Sequence, residues 1–224
     1  PGIDACGTVI SSLNPQFRAG DKVLIICEPM GLNSPGGFAE YIRIKSSWAI
    51  KIGEEINQEI TMAIGTAGIT AALAIKSLID SENKLPNKII VSGASGGIGS
   101  VSISILKHLG CHITALTSSR RNQKFLESLE TNNIIYADDL IESTKQNLAL
   151  SKWDAAIDVV GGDILSSIIK SIHPGGSVAC TGNVLSTSFS NNVLPFIIRG
   201  ISLNGINAEM QKKGEREKLI EKLN

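Results

Sequence analysis

The run Ile89-Ile90-Val91-Ser92-Gly93-Ala94-Ser95-Gly96-Gly97-Ile98-Gly99 constrains the fold more than any other segment of this chain. An apolar stretch enters a glycine turn and an amphipathic stretch leaves it, so a strand must hand over to a helix within a few residues. Glycine permits the tight turn, keeps Cβ atoms away from a bound anion and lets helix and strand pack closely, while free N–H groups at the helix start point at the anion. The segment predicts a cradle for a dinucleotide pyrophosphate, with a plain structural turn as the alternative. Ile98, Val101, Ile105 and Leu109 recur at helical spacing, which predicts that this stripe faces the sheet while Ser100, Ser104 and Lys107 turn away.

The next strand candidate ends at Thr117, roughly twenty residues on, where an NAD enzyme places a carboxylate on the ribose hydroxyls. Here the chain reads Thr117-Ser118-Ser119-Arg120-Arg121. Hydroxyls and guanidinium groups accept a 2′-phosphate through charge-assisted and bidentate hydrogen bonds, so NADP is favoured over NAD. The alternative is a solvated helix start with Ser119 as its N-cap.

The charges balance at 21 Lys plus Arg against 21 Asp plus Glu, and aromatic residues make up 4%, which argues against a nucleic-acid or anionic-membrane surface. Apolar residues at 42% of 224 suffice for a core. Val193 to Leu203 is the best candidate membrane run, but it is short and carries Pro195, Arg199 and Gly200. Cys6, Cys27, Cys111 and Cys180 are scattered singly, which fits neither a disulfide framework nor a zinc ribbon and makes a reducing cytoplasm the default. They read as small core residues. The chain opens on Pro1 without an initiator methionine, and the strand-like run Ala5 to Ile10 has no visible preceding partner, so a fragment is expected.

Residues 1–53 read as short strands, with Lys22 to Cys27 following a turn at Arg18-Ala19-Gly20-Asp21 and Phe38 to Ile44 following Gly36-Gly37. A helix is expected over Thr61 to Ile79. Strands are then expected at Lys88 to Ser92, Cys111 to Thr117, Asn133 to Tyr136, Ala155 to Val160, Ser177 to Thr181 and Ile201 to Gly205, alternating with helices. That alternation predicts an α/β domain over 54–206, a doubly wound parallel sheet with its ligand across the carboxyl ends of the strands, where Gly161-Gly162 and Gly182 fall. Residues 207–224 read as a return segment, with a charged surface helix from Glu209 to Lys222.

An all-β start, a helix carrying Gly65-Thr66-Ala67-Gly68-Ile69-Thr70-Ala71-Ala72 and the glycine turn together resemble the medium-chain dehydrogenase/reductase superfamily. Pro1-Gly2-Ile3-Asp4, Gly36 to Tyr41, Trp153 to Asp158 with Gly161-Gly162, and Leu194-Pro195-Phe196-Ile197-Ile198-Arg199-Gly200 narrow the resemblance to its zinc-independent quinone oxidoreductase branch, specifically the acryloyl-CoA reductase family. The resemblance implies a Rossmann domain preceded by part of a GroES-like β domain. It implies NADP, with the pyrophosphate on Gly96, Gly97 and Ile98 and the 2′-phosphate on Ser118, Ser119 and Arg120. It places the nicotinamide half at Thr66, Thr70, Val160, Gly161, Gly182 and Asn183. It also implies hydride transfer to an α,β-unsaturated carbonyl compound, acryloyl-CoA or alternatively a quinone, and a homodimer formed through Ile201 to Ile206. A non-catalytic NADP-binding module is the reading from another class.

Zinc enzymes of that superfamily carry Gly-His-Glu where this chain has Gly2-Ile3-Asp4, and isoleucine cannot ligate zinc. His108 and His112 flank the helix-ending Gly110, and His173 sits beside Pro174, in an expected turn; none suggests a metal cluster. Tyr41-Ile42-Arg43-Ile44-Lys45 spells the catalytic pair of short-chain dehydrogenases but precedes the glycine turn and alternates like a strand. No catalytic residue is named. Arg199 and Arg43 are candidates for CoA phosphates or for structural ion pairs.

Overall fold

The computed structural model describes residues 1–210 and Gly214. The chain divides into two compact units, one over Pro1–Ile69 with the described residues from Asn207 on, the other over Thr70–Ile206.

In the first unit, β1 (Ala5–Thr8), β2 (Lys22–Ile25) and β3 (Ile50–Lys51) form an antiparallel sheet with β2 central. Ala5, Phe17, Val23, Ile25, Met30 and Ala49 form its core. The turn into β2 is fixed by Asp21, whose carboxylate accepts from the Arg18 N–H at 2.8 Å. The strand expected over Phe38 to Ile44 is absent. Ile42 and Ile44 do pack on the core, but Phe38 and Tyr41 are 84% and 74% exposed and the backbone enters no ladder. Alternation met the burial requirement here, and among the described residues no neighbouring strand supplies hydrogen bonds.

Helix α1 (Gln58–Ser77) crosses from one unit to the other and is broken at Gly65, with φ 48° and ψ −153°. It is long and apolar enough to cross a membrane, unlike the Val193–Leu203 run, but Ile69, Ala71, Ala74 and Ile75 are buried inside the protein. It reads as a core helix.

In the second unit the elements alternate as β4 (Lys88–Val91), α2 (Gly97–His108), β5 (His112–Thr117), α3 (Gln123–Ser128), β6 (Asn133–Tyr136), α4 (Ala137–Ser143), β7 (Trp153–Asp158), α5 (Gly162–Lys170), β8 (Ile172–Cys180), α6 (Leu194–Arg199) and β9 (Ser202–Gly205). All strands are parallel in the order β6-β5-β4-β7-β8-β9, the doubly wound arrangement expected. The period of two in β4 divides the core. Ile89 and Val91 meet α1, α2 and α3 on one face, and Ile90 meets α4 and α5 on the other.

The buried face of α2 is Gly99, Ser102, Ile103 and Leu106, one residue round from the expected stripe, and Leu109 is 53% exposed. The turn decides the rotation: a Cβ on Gly99 would lie 2.3 Å from the Gly93 carbonyl oxygen, so the helix presents its bare backbone there. Gly110, at φ 79°, ends α2 as expected; its N–H donates to Lys107 O and that of Cys111 to Leu106 O. His173 lies in β8 and not in a turn. Ala208–Met210 forms a 3₁₀ turn, and the helix expected over Glu209 to Lys222 otherwise lies outside the described residues.

Candidate functional site

The carboxyl ends of β4, β5, β7 and β8 are neighbours in the parallel sheet, and each is followed by residues the sequence reading singled out. After β4, Gly93 takes φ 56°, the Gly96 N–H closes on Gly93 O at 2.9 Å, and α2 begins with Gly96 as N-cap and no side-chain cap. Its first N–H groups, those of Gly97 and Ile98 included, have no intrahelical acceptor and lie at the sheet's carboxyl end, an arrangement suited to an anion. Gly96 and Gly97 are exposed, so a phosphate can reach them.

After β5, Thr117 Oγ1 accepts from the Ser119 N–H at 3.2 Å, and Ser119 Oγ accepts from the Arg121 N–H at 3.3 Å. Ser119 therefore caps the 3₁₀ turn Arg120–Asn122, as the simpler reading had it. The Arg120 guanidinium lies 4.1 Å from the centroid of the Tyr136 ring, whose hydroxyl donates to Gln123 Oε1 at 3.2 Å. Ser118 and Arg120 are exposed. Among the described residues neither Arg120 nor Arg121 sits in an ion pair. Asn122 Nδ2 donates to Ser95 Oγ at 2.8 Å, which ties this turn to the glycine turn.

After β7 and β8 the backbone is crowded. A Cβ on Gly182 would meet Val159 O at 2.4 Å and one on Gly161 would meet Ser186 O at 2.3 Å; Gly161, at φ 74°, needs glycine for its conformation as well. Asp158, fully buried, accepts from Ser92 Oγ at 2.6 Å and from the Gly161 N–H at 2.9 Å. Burial pushes its carboxyl up, against the pull of those hydrogen bonds. Val160 is half-buried and Asn183 exposed beside these glycines.

The structure thus gathers Gly96, Gly97, Ile98, Ser118, Ser119, Arg120, Val160, Gly161, Gly182 and Asn183 at one end of the sheet. Thr70 is buried in α1 at the start of the same unit. Thr66, in the other unit, is engaged locally: its hydroxyl donates to Asp4 Oδ1 and accepts from the Cys27 N–H at 3.1 Å, while its N–H donates to Asp4 Oδ2 at 2.8 Å. Sequence reasoning missed Ser92, Asn122, Tyr136 and Asp158. A carboxylate closing the apolar run Ala155-Ala156-Ile157 was the available signal for Asp158.

Other candidates resolve as structural. Arg199 makes no ion pair among the described residues and donates instead to the carbonyls of Ala149, Lys170 and Ile172. His173 Nδ1 lies 3.6 Å from Asp154 Oδ1, in a cavity of about 410 Å³ at the amino ends of the strands, away from the glycine turns. Tyr41 lies at a bend and Lys45 on extended chain, neither of them on a helix. Burial raises the thiols of Cys6, Cys111 and Cys180. Among the described residues no group of three His, Cys, Asp or Glu is placed to hold a metal ion.

A family described as zinc-binding dehydrogenase matches residues 97–224. The chain is 34% identical to acrylyl-CoA reductase AcuI of Ruegeria pomeroyi, over 100% of this chain and 68% of that one. It is 36% identical to YhfP of Bacillus subtilis, named a quinone oxidoreductase, over 92% of this chain and 63% of that one. YhfP has been solved with NAD bound and matches at a TM-score of 0.90, covering 99% of this chain and 68% of that one. The yhdH oxidoreductase of Salmonella enterica, solved in complex with NADP, matches at a TM-score of 0.90 and 33% identity, over 100% of this chain and 68% of that one. The chain therefore spans about two thirds of the length of the relatives it matches, and its small antiparallel sheet fits part of a GroES-like domain.

Proposed function

We propose, because the chain belongs to the zinc-binding dehydrogenase family, that the protein is an NADPH-dependent reductase acting without zinc on the β-carbon of an α,β-unsaturated carbonyl compound, with acryloyl-CoA as the first substrate to try. The observation that carries the reading is the pair of adjacent turns after β4 and β5. One offers an uncapped glycine helix start, and the other offers hydroxyls and an arginine with no carboxylate. When bound, NADPH supplies the hydride. Gly96, Gly97 and Ile98 bind its pyrophosphate through backbone N–H groups, and Ser118, Ser119 and Arg120 bind the 2′-phosphate. Val160, Gly161, Gly182 and Asn183 bound the nicotinamide end, where the glycines let the turns after β7 and β8 pack backbone against backbone.

A second reading keeps the cofactor and replaces the acceptor by a quinone, supported by the name that YhfP carries. We also assign homodimerisation to the edge of β9, which among the described residues pairs with β8 alone, beside Ile197 and Ile198, 71% and 62% exposed on α6. The edge is less apolar than its sequence suggests, because Ile201 is buried and Leu203 packs on the core. A cytoplasmic location rests on the spacing of the cysteines, which stand singly along the sequence.

Titration with NADPH and NADH, followed by quenching of Trp48 and Trp153 fluorescence, tests the cofactor. Tight NADPH binding with much weaker NADH binding supports the reading; equal binding removes the 2′-phosphate assignment. NADPH oxidation with acryloyl-CoA or with a benzoquinone then separates the two acceptors.

A further inference from the structure

Asp158 is a buried acid whose partners belong to three different turns. Its carboxylate takes the Ser92 hydroxyl of the β4 turn and the Gly161 N–H of its own turn, and its carbonyl oxygen takes Thr181 N–H at 2.7 Å and Thr181 Oγ1 at 2.9 Å after β8. Ser92 completes the link, because its oxygen accepts from the Val159 N–H at 3.0 Å while its proton goes to Asp158. Val159 and Val160 in turn hold the β8 loop, accepting from Val184 N–H and from Leu185 N–H at 2.9 Å. A hydrophobic residue at position 158 would serve packing as well as a carboxylate at lower cost, since burying the acid is unfavourable. What the acid adds is two acceptors at fixed separation.

We propose that Asp158, through Ser92 and Gly161, is the positioning residue that sets the spacing between the pyrophosphate turn and the nicotinamide turn. The proposal rests on the cofactor reading above and deepens it. Asp158 need not touch the cofactor. With the carboxylate gone, Gly161 loses the acceptor that holds its left-handed conformation, and the turn relaxes across the crevice.

Asp158→Asn keeps the volume but turns an amide N–H toward the Gly161 N–H or the Ser92 hydroxyl. The test is fluorescence titration of the whole chain, wild type, Asp158→Asn, Ser92→Ala and the double variant, with NADPH and NADH. The expected result is a Kd for both cofactors weakened by the same factor, about tenfold to a hundredfold in Asp158→Asn, at unchanged binding stoichiometry. The double variant is expected to be no worse than Asp158→Asn, since both changes break one link. A general folding defect would lower the stoichiometry instead and leave Kd alone, which overturns the proposal, as does a wild-type Kd in Asp158→Asn. If Asp158→Asn does not fold, Ser92→Ala decides: a Kd weakened for both cofactors supports the link and an unchanged one overturns it. Wild-type protein that binds neither cofactor overturns the cofactor reading itself, whereas binding that is indifferent to both variants overturns only the positioning role.

Discussion

Arg120 lies over the face of Tyr136 with 4.1 Å between guanidinium carbon and ring centroid, so the cation that the cofactor reading assigns to the 2′-phosphate is biased toward one orientation before any ligand arrives. An exposed cation–π contact contributes about 0.5–1 kcal/mol, enough to bias an arginine rotamer without fixing it. Arg120→Ala is expected to weaken NADPH binding at least about tenfold and leave NADH binding unchanged, because only NADPH carries the 2′-phosphate. Tyr136→Leu is expected to give the same pattern at about two- to fivefold, the cost of the lost stacking. Tyr136→Phe loses only the hydrogen bond to Gln123 and should bind like wild type. Paired titrations with the two cofactors check all three.

Gly99→Ala sets two effects against each other. Alanine is favoured over glycine in a helix by about 1 kcal/mol, but the new Cβ would stand 2.3 Å from the Gly93 carbonyl oxygen and 2.8 Å from Ala94 Cα. Both neighbours are backbone of a tight turn and cannot step aside, so overpacking wins, with an expected net loss of about 1–3 kcal/mol. Gly110→Ala is the comparison: nothing lies near its Cβ, and only the left-handed φ of 79° opposes it, at about 1–2 kcal/mol. Urea unfolding gives both values, and Gly99→Ala alone should also weaken NADPH binding.

The alternation of strands with helices and the glycines at the strand ends were enough to read the parallel sheet and the end of it that carries the candidate site. Contacts across the chain were not readable in this way. The rotation of α2 depends on where Gly99 meets Gly93, and Phe38 to Ile44 finds no ladder partner among the described residues; neither leaves a mark on local alternation. Ser92 and Asp158 stand 66 positions apart and read separately as a turn serine and a strand-end acid. Only the β4–β7 pairing makes them partners. Arg199 was weighed as a phosphate ligand or an ion pair, whereas carbonyls, present in every residue, leave no pattern to search for.

Those carbonyls make Arg199 testable as a clamp. It donates to Ala149, Lys170 and Ile172, joining the loop before β7 to the end of α5 and the start of β8. A lysine ammonium offers donors from one point and cannot match a fork spread over three acceptors. Arg199→Lys is expected to cost about 1–2 kcal/mol of stability, and Arg199→Ala about 2–4 kcal/mol, read from denaturant midpoints. The KM for acryloyl-CoA should stay at its wild-type value in Arg199→Lys; a large rise would return Arg199 to the phosphate-binding role.

The pH dependence of stability separates Asp158 from the surface acids by sign. Burial raises the Asp158 carboxyl above its ordinary 3.8, so the folded chain keeps that proton at pH values where the unfolded chain has lost it. Its relative contribution is greatest below 3.8 and declines as pH climbs to the raised value, above which the cost of a buried carboxylate is fully present. Cys180, which faces it from β8, has a thiol raised above its ordinary 9.0 by burial and then by Asp158, and so does not titrate in that window. Asp21 and Glu130 slope the other way. Hydrogen bonds from Lys51 and Lys107 lower their carboxyls, and their contribution is present above the ordinary values and lost as pH falls through the lowered ones. Asp158→Asn leaves those surface pairs untouched, so subtracting its unfolding free energy from that of wild type isolates the buried acid. That difference is expected to move against wild type as pH rises from 3.8 and to level off above the raised value. A difference that moved in favour of wild type over the same range would mean that Ser92 and Gly161 stabilise the carboxylate by more than burial costs it.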